Sequence, residues 1–255
     1  MRDDFEYGSA GIIGIAPPQS NPTVEPEMAT LLPADVTMLT TRLRGNMLDT
    51  RKRFGEYLIN LKDSLDGYGA IKLGAFGFAC TATSYLLGER EASREFDKLS
   101  LHFGYPIISS AQAIRIALSE LGAARIALFG PYPGWLQEVS QRFWFESGFA
   151  LVAKTGVDLG NGDTLGIYRL RTNSIVEAVS RMDWSKADAI VLTGTGAPTL
   201  RAIPEIARLS GKPVFSSNLC LAWALLREIG HKSALPVWAD QSVLIKGWAD
   251  RLDRR

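Results

Sequence analysis

Three features of the sequence predict an α/β fold made of two pseudo-symmetric halves, each a parallel sheet flanked by helices, with the active-site cleft between them. Short apolar runs alternate with helix-period segments along nearly the whole chain, the pattern of buried parallel strands and their covering helices. The chain also repeats itself: Gly104-Tyr105-Pro106-Ile107-Ile108-Ser109-Ser110 matches Gly211-Lys212-Pro213-Val214-Phe215-Ser216-Ser217. The helical segments that follow stay in register, pairing Ala117 with Ala224 and Leu118 with Leu225, which points to a duplicated unit. Finally, a strand ending in small residues lies upstream of each copy: Cys80-Thr81-Ala82 in the first, Gly194-Thr195-Gly196 in the second. The expected division is a first domain of residues 1–110 plus 218–255, including a C-terminal helix, and a second of residues 111–217.

Taken in order, Gly11-Ile12-Ile13-Gly14-Ile15-Ala16 reads as a buried strand that breaks at Pro17-Pro18. A helix is expected over 23–32, a strand over 36–40 and one amphipathic helix over 49–65. The run from Ala75 is a strand, followed by one helix over 83–99 with Thr81, Thr83 or Ser84 as its N-cap. A short strand over 106–109 leads into a helix over 111–121. The alternation then restarts with strands over 125–129 and 150–157 around a helix over 135–147. A helix over 175–181, a strand over 189–193, a helix over 203–209, a strand over 213–216 and a helix over 218–229 complete it.

Bulk properties exclude several classes. Twenty-eight basic against 27 acidic residues leave a net charge of +1, so nothing advertises nucleic acid or an anionic membrane as a partner. Arg251, Arg254 and Arg255 read as a solvated basic tail. Two cysteines are too few for a disulfide scaffold, and two histidines without a carboxylate cluster argue against a metal site. The N-terminus lacks an apolar signal region and no apolar run reaches spanning length, which points to a cytoplasmic protein.

Ligands of open parallel sheets bind beyond the carboxyl ends of the strands, so the loops at 19–23, 80–84, 132–135 and 194–197 should converge on the cleft. Cys80 ends a buried strand just before a helix, where the helix dipole favours a thiolate; the plainer reading is a buried small hydrophobe. Tyr132, in the rigid Gly130-Pro131-Tyr132-Pro133 turn, can donate its phenol to a carboxylate or enediolate, or pack as a surface tyrosine. Cys220, inside a helical segment with Leu219, Leu221 and Trp223, reads as core. His102 and His231 lie outside these loops.

The segments Gln19-Ser20-Asn21-Pro22-Thr23-Val24-Glu25-Pro26-Glu27-Met28, Ala79-Cys80-Thr81, Gly130-Pro131-Tyr132 and the Gly194 stretch with its Gly-Lys-Pro-Val-Phe-Ser-Ser sequel resemble, in order and spacing, the aspartate/glutamate racemase superfamily. The resemblance is to its maleate cis-trans isomerase and arylmalonate decarboxylase branch, and it runs from Gly11 to about Gly230. It implies two pseudo-symmetric domains, no cofactor and a catalytic cysteine acting on a small dicarboxylate. Racemases of the superfamily carry one cysteine on each face of the substrate, and arylmalonate decarboxylases keep only the second. Here Cys80 matches the first position, as the nucleophile, and Gly194 stands at the second.

By the same resemblance, Asn21 and Asn161 hold substrate. The N–H groups of Thr81 and Ala82 would hold one carboxylate, with Thr195 and Gly196 doing the same from the other half. Racemisation needs a group on each face, so it is disfavoured unless Thr195 or water substitutes. Cis-trans isomerisation needs one thiolate, and the maleate-isomerase-like reading therefore ranks first, with decarboxylation or racemisation through Cys80 behind it. Two readings of other classes stay open: a small-acid binding protein without catalysis, and an unrelated doubly wound protein whose cysteine only packs. Homo-oligomerisation is open as well.

Overall fold

The computed structural model describes residues 5–157, 159, 164–231 and 248–252. Its framework is a pair of four-stranded, all-parallel sheets with the same strand sequence. The first holds β1 (Gly11–Ala16), β2 (Val36–Thr40), β3 (Ala75–Phe78) and β4 (Ile107–Ser109) in the order β2-β1-β3-β4. The second holds β5 (Arg125–Phe129), β6 (Ala150–Thr155), β7 (Ala189–Leu192) and β8 (Val214–Ser216) in the order β6-β5-β7-β8. Central strands β1, β3, β5 and β7 are almost wholly apolar because helices cover both faces.

The sequence repeat becomes β4 with the helix α6 (Ser110–Leu121) and β8 with the helix α10 (Ser217–Glu228). The first serine of each Ser-Ser pair explains why both helices start where they do. Ser109 and Ser216 are the N-caps, accepting from the backbone N–H of Gln112 (3.2 Å) and Leu219 (3.4 Å); Gln112 completes a capping box on Ser109. The two helices pack on each other about the pseudo-symmetry axis, and α10 also packs on β3, β4 and β8. Cys220, inside α10, is fully buried in this core, and burial pushes its thiol well above the ordinary range.

Between these elements lie α1 (Val24–Leu31), α2 (Thr50–Ile59), α3 (Leu61–Asp66), α4 (Thr81–Leu87), α5 (Glu89–Phe103), α7 (Gly134–Glu146), α8 (Thr172–Ser180), α9 (Ala202–Ser210) and the short α11 (Trp248–Leu252). Two expected single helices are each two. The 49–65 helix breaks at Asn60, whose side-chain amide donates to the Arg44 carbonyl (2.9 Å). The 83–99 helix breaks at Gly88, where φ is +80°, a conformation that glycine tolerates and other residues resist. A 3-10 turn, Leu165–Arg169, was not expected at all. Arg251 does not float in solvent: it donates to the carbonyls of Thr30 and Leu31 at the C-terminus of α1, where a cation complements the helix dipole. Arg254 and Arg255 lie outside the described residues. No helix among the described residues is long and apolar enough to cross a membrane.

Candidate active site

The carboxyl ends of both sheets face one cavity of about 40 Å3, lined by all four anticipated loops. Asn21, Cys80, Thr81, Ala82, Tyr132, Gly194, Thr195 and Gly196 all line it. Asn161 lies outside the described residues. His102 and His231 do not line it.

Cys80 lies one residue beyond the end of β3, after Ala79, and is itself the N-cap of α4, with extended backbone; Thr81, Thr83 and Ser84 lie inside the helix. The expected threonine or serine cap is therefore replaced by a cysteine whose side chain makes no capping hydrogen bond, and the first-turn N–H groups of Ala82 and Thr83 act on the sulfur electrostatically. Burial pushes the Cys80 thiol up; those two N–H groups, the Thr83 hydroxyl and the charge of Arg53 pull the other way. Burial wins, contrary to the expectation that the helix terminus would prevail. The Thr83 hydroxyl has one proton and two acceptors, the Phe54 carbonyl at 2.9 Å and Cys80 Sγ at 3.6 Å. The shorter bond holds it while the thiol is neutral, and a thiolate competes for it as a stronger acceptor.

Hydrogen bonds between the halves fix the remaining loops. Thr195 Oγ1 donates to the Ala79 carbonyl (2.8 Å) and accepts from Asn21 Nδ2 (3.3 Å). Its proton is thus committed to a structural bond, which argues against Thr195 standing in for a second acid/base. The Asn21 side-chain oxygen accepts from the N–H of Thr23 (2.8 Å) and Val24 (3.2 Å), and Thr23 Oγ1 donates to the Gly196 carbonyl (2.8 Å). The Tyr132 hydroxyl lies 2.9 Å from Thr81 Oγ1. Burial pushes its phenol up to about 12, so it serves as a neutral donor at ordinary pH. Tyr85 meets the Tyr132 ring edge-on and is itself backed by Phe143 and Trp144, which fixes the phenol's direction.

Gly194 has φ of +93°, and a Cβ there would lie 2.7 Å from Ile167 Cδ1 and 3.5 Å from the Tyr132 hydroxyl oxygen. At Gly196 a Cβ would lie 2.6 Å from Tyr168 Cε1. Both glycines let the Leu165–Arg169 turn rest directly on the loop. Gly194→Cys is therefore expected to lower stability by about 1–2 kcal/mol without creating a racemase. Urea denaturation and α-proton exchange of aspartate in deuterated buffer would check both halves of that statement, and efficient exchange would contradict it.

Sequence reasoning missed Arg53, Tyr57 and the residues Thr164, Leu165, Ile167 and Tyr168, all of which line the cavity. Arg53 sits in α2, only 2% exposed. An arginine at a buried position of an amphipathic helix was the signal available. The 3-10 turn carries no periodicity that could have revealed it.

Residues 14–239 match a family model described as arylmalonate decarboxylase. The chain belongs to that family. Among curated relatives it is 27% identical over 243 residues to the maleate isomerase of Geobacillus stearothermophilus, covering 88% of this chain and 94% of that one. The maleate isomerase of Pseudomonas putida is 24% identical over 248 residues, with the same coverage. Solved structures of similar proteins share the fold. A Pseudomonas putida maleate isomerase variant with maleate has a TM-score of 0.83 at 20% identity, covering 92% of this chain and 99% of that one. A cysteine-to-serine variant of Nocardia farcinica maleate cis-trans isomerase, with a covalently bound succinylcysteine intermediate, scores 0.78 at 24% identity, covering 86% and 93%. A glycine-to-cysteine, cysteine-to-serine variant of arylmalonate decarboxylase scores 0.77 at 22% identity, covering 91% and 99%.

Proposed function

We propose that the protein is a cysteine-dependent cis-trans isomerase of a small unsaturated dicarboxylate, with maleate as the reference substrate. The observation that carries this reading is Cys80 itself, placed just beyond β3 at the N-cap of α4 and on the wall of a cavity shared by both halves. The curated relatives named maleate isomerase support the same reaction.

In this mechanism the Cys80 thiolate adds to one alkene carbon, forming a C–S bond, while the π pair moves onto the adjacent carbon and its carboxylate as an enediolate. The N–H groups of Thr81, Ala82, Thr195 and Gly196 hold the charged oxygens, and the Tyr132 phenol donates to them. The former double bond is now single and rotates. The enediolate then collapses, re-forms the alkene in the trans geometry and expels the thiolate. No proton is gained or lost overall, so the missing second cysteine at Gly194 costs this reaction nothing. Racemisation is disfavoured by the same feature. Decarboxylation through Cys80 remains the second reading because the family model carries that description.

Proton NMR of maleate and of an arylmalonate in deuterated buffer distinguishes them. Fumarate without carbon-bound deuterium is the expected result; a deuterated monoacid with carbon dioxide would replace isomerisation by decarboxylation. Turnover of neither would remove both.

A further inference from the structure

Thr83 carries a buried hydroxyl that the mechanism above does not use. Its single proton has two acceptors within reach, the Phe54 carbonyl at 2.9 Å and Cys80 Sγ at 3.6 Å. Turning from one to the other takes only rotation about the Cβ–Oγ1 bond. The Phe54 carbonyl loses little when the hydroxyl leaves, because it lies inside α2 and accepts a second hydrogen bond from that helix's own ladder. The sulfur gains much once it is ionised, since a hydrogen bond to a charged acceptor is roughly twice as strong as a neutral one.

The internal duplication supplies an independent comparison. β3 and β7 occupy equivalent places in the two sheets, so Cys80, Thr81, Ala82 and Thr83 correspond to Gly194, Thr195, Gly196 and Ala197. The half with the thiol has a buried hydroxyl in the last of these places; the half without it has a methyl group, buried as fully. Packing there is met without a hydroxyl, and the one that is present serves the sulfur.

We infer that Thr83 is a positioning residue for the reactive thiol: its hydroxyl rests on α2 while Cys80 is protonated and turns to the sulfur as the proton leaves to solvent. This rests on the reading of Cys80 as the nucleophile and deepens it, since the state that attacks the alkene is the one the turned hydroxyl favours.

Alkylation of Cys80 by iodoacetamide as a function of pH tests this without relying on turnover. Sulfur bonds to carbon as iodide leaves, and site-resolved mass spectrometry separates Cys80 from Cys220. The charged or titratable side chains that share the cavity with the sulfur among the described residues, Arg53, Tyr57, Tyr132 and Tyr168, stay the same in every variant. Thr83→Val keeps the shape of the side chain and removes the hydroxyl. It should move the midpoint of the profile up by about one pH unit, a loss of about tenfold in rate at a fixed pH below the midpoint, with the high-pH plateau retained. Thr83→Ala should do the same, and the buried Ala197 shows that this turn accepts alanine should the valine variant fail to fold. Thr83→Ser, which keeps the hydroxyl, should keep the wild-type profile.

A midpoint unmoved in the folded valine or alanine variant, or moved as far in serine as in alanine, would overturn the role of Thr83 and leave the thiol reading intact. Wild-type Cys80 inert at every pH would overturn the thiol reading itself, and the role of Thr83 with it.

Discussion

Replacing Cys80 with serine is expected to lower kcat for maleate at least about 1,000-fold while leaving the fold intact. Serine nearly preserves the volume of the side chain and the extended N-cap conformation of residue 80, so stability should change by no more than about 1 kcal/mol. A hydroxyl at this site is far harder to ionise than a thiol, so the addition step has no nucleophile. The wild type has its own signature in pH. Because burial holds the Cys80 thiol above its ordinary range, the rate should climb with pH along an alkaline limb that reports thiolate formation. Stopped or continuous assays of fumarate formation would measure both effects. A serine variant that retains a tenth of wild-type activity would sink the covalent mechanism.

The second large effect is on stability, at Glu27. This buried carboxylate accepts from the N–H of Thr199 (2.6 Å) and Leu200 (3.1 Å) and from Asn218 Nδ2 (2.7 Å), joining α1 to the segment before α9 and to α10. Asn218 Nδ2 also donates to the Thr195 carbonyl (3.1 Å), so the carboxylate steadies the cavity-lining Thr195 turn at one remove. Glu27→Ala leaves these donors and the Thr199 hydroxyl, which also donates to the carboxylate (3.4 Å), without that acceptor and should lower stability by about 3–5 kcal/mol in urea denaturation.

Burial pushes the Glu27 carboxyl up to about 7 from an ordinary value of 4.5. Between those two pH values the folded chain holds a proton that the unfolded chain has released, so stability falls as pH rises across that window. The contribution of this group is about 3 kcal/mol. Glu27→Gln should flatten that slope; an unchanged slope in the glutamine variant would refute the assignment.

Much of this architecture was legible in the sequence because its signals are local and repeated. The Gly-x-Pro-x-x-Ser-Ser repeat marks a strand, an N-cap and a helix in one phrase, and both copies do the same thing in space. Small residues after β3 and β7 mark the two loops that line the cavity. What could not be read was whatever depends on the partner half. Thr195 looked like a spare acid/base group until its proton was found on the Ala79 carbonyl, 116 residues away in sequence. The charge of Arg53 was hidden inside an ordinary amphipathic pattern, since periodicity says that a face is buried and not what it is buried against. The balance at Cys80 was misjudged for a related reason: the helix terminus is visible in sequence, whereas the depth of desolvation is a property of the assembled molecule.

The placement of α10 has a consequence for how the protein comes apart. This segment is made last of the major elements, after the second sheet, yet it covers β3 and β4 of the first. Neither half can therefore melt while the other stays whole, and heating should give a single calorimetric transition. A chain cut after the second sheet would expose the bare flank of the first, and would be expected to aggregate rather than persist as a miniature version of the enzyme.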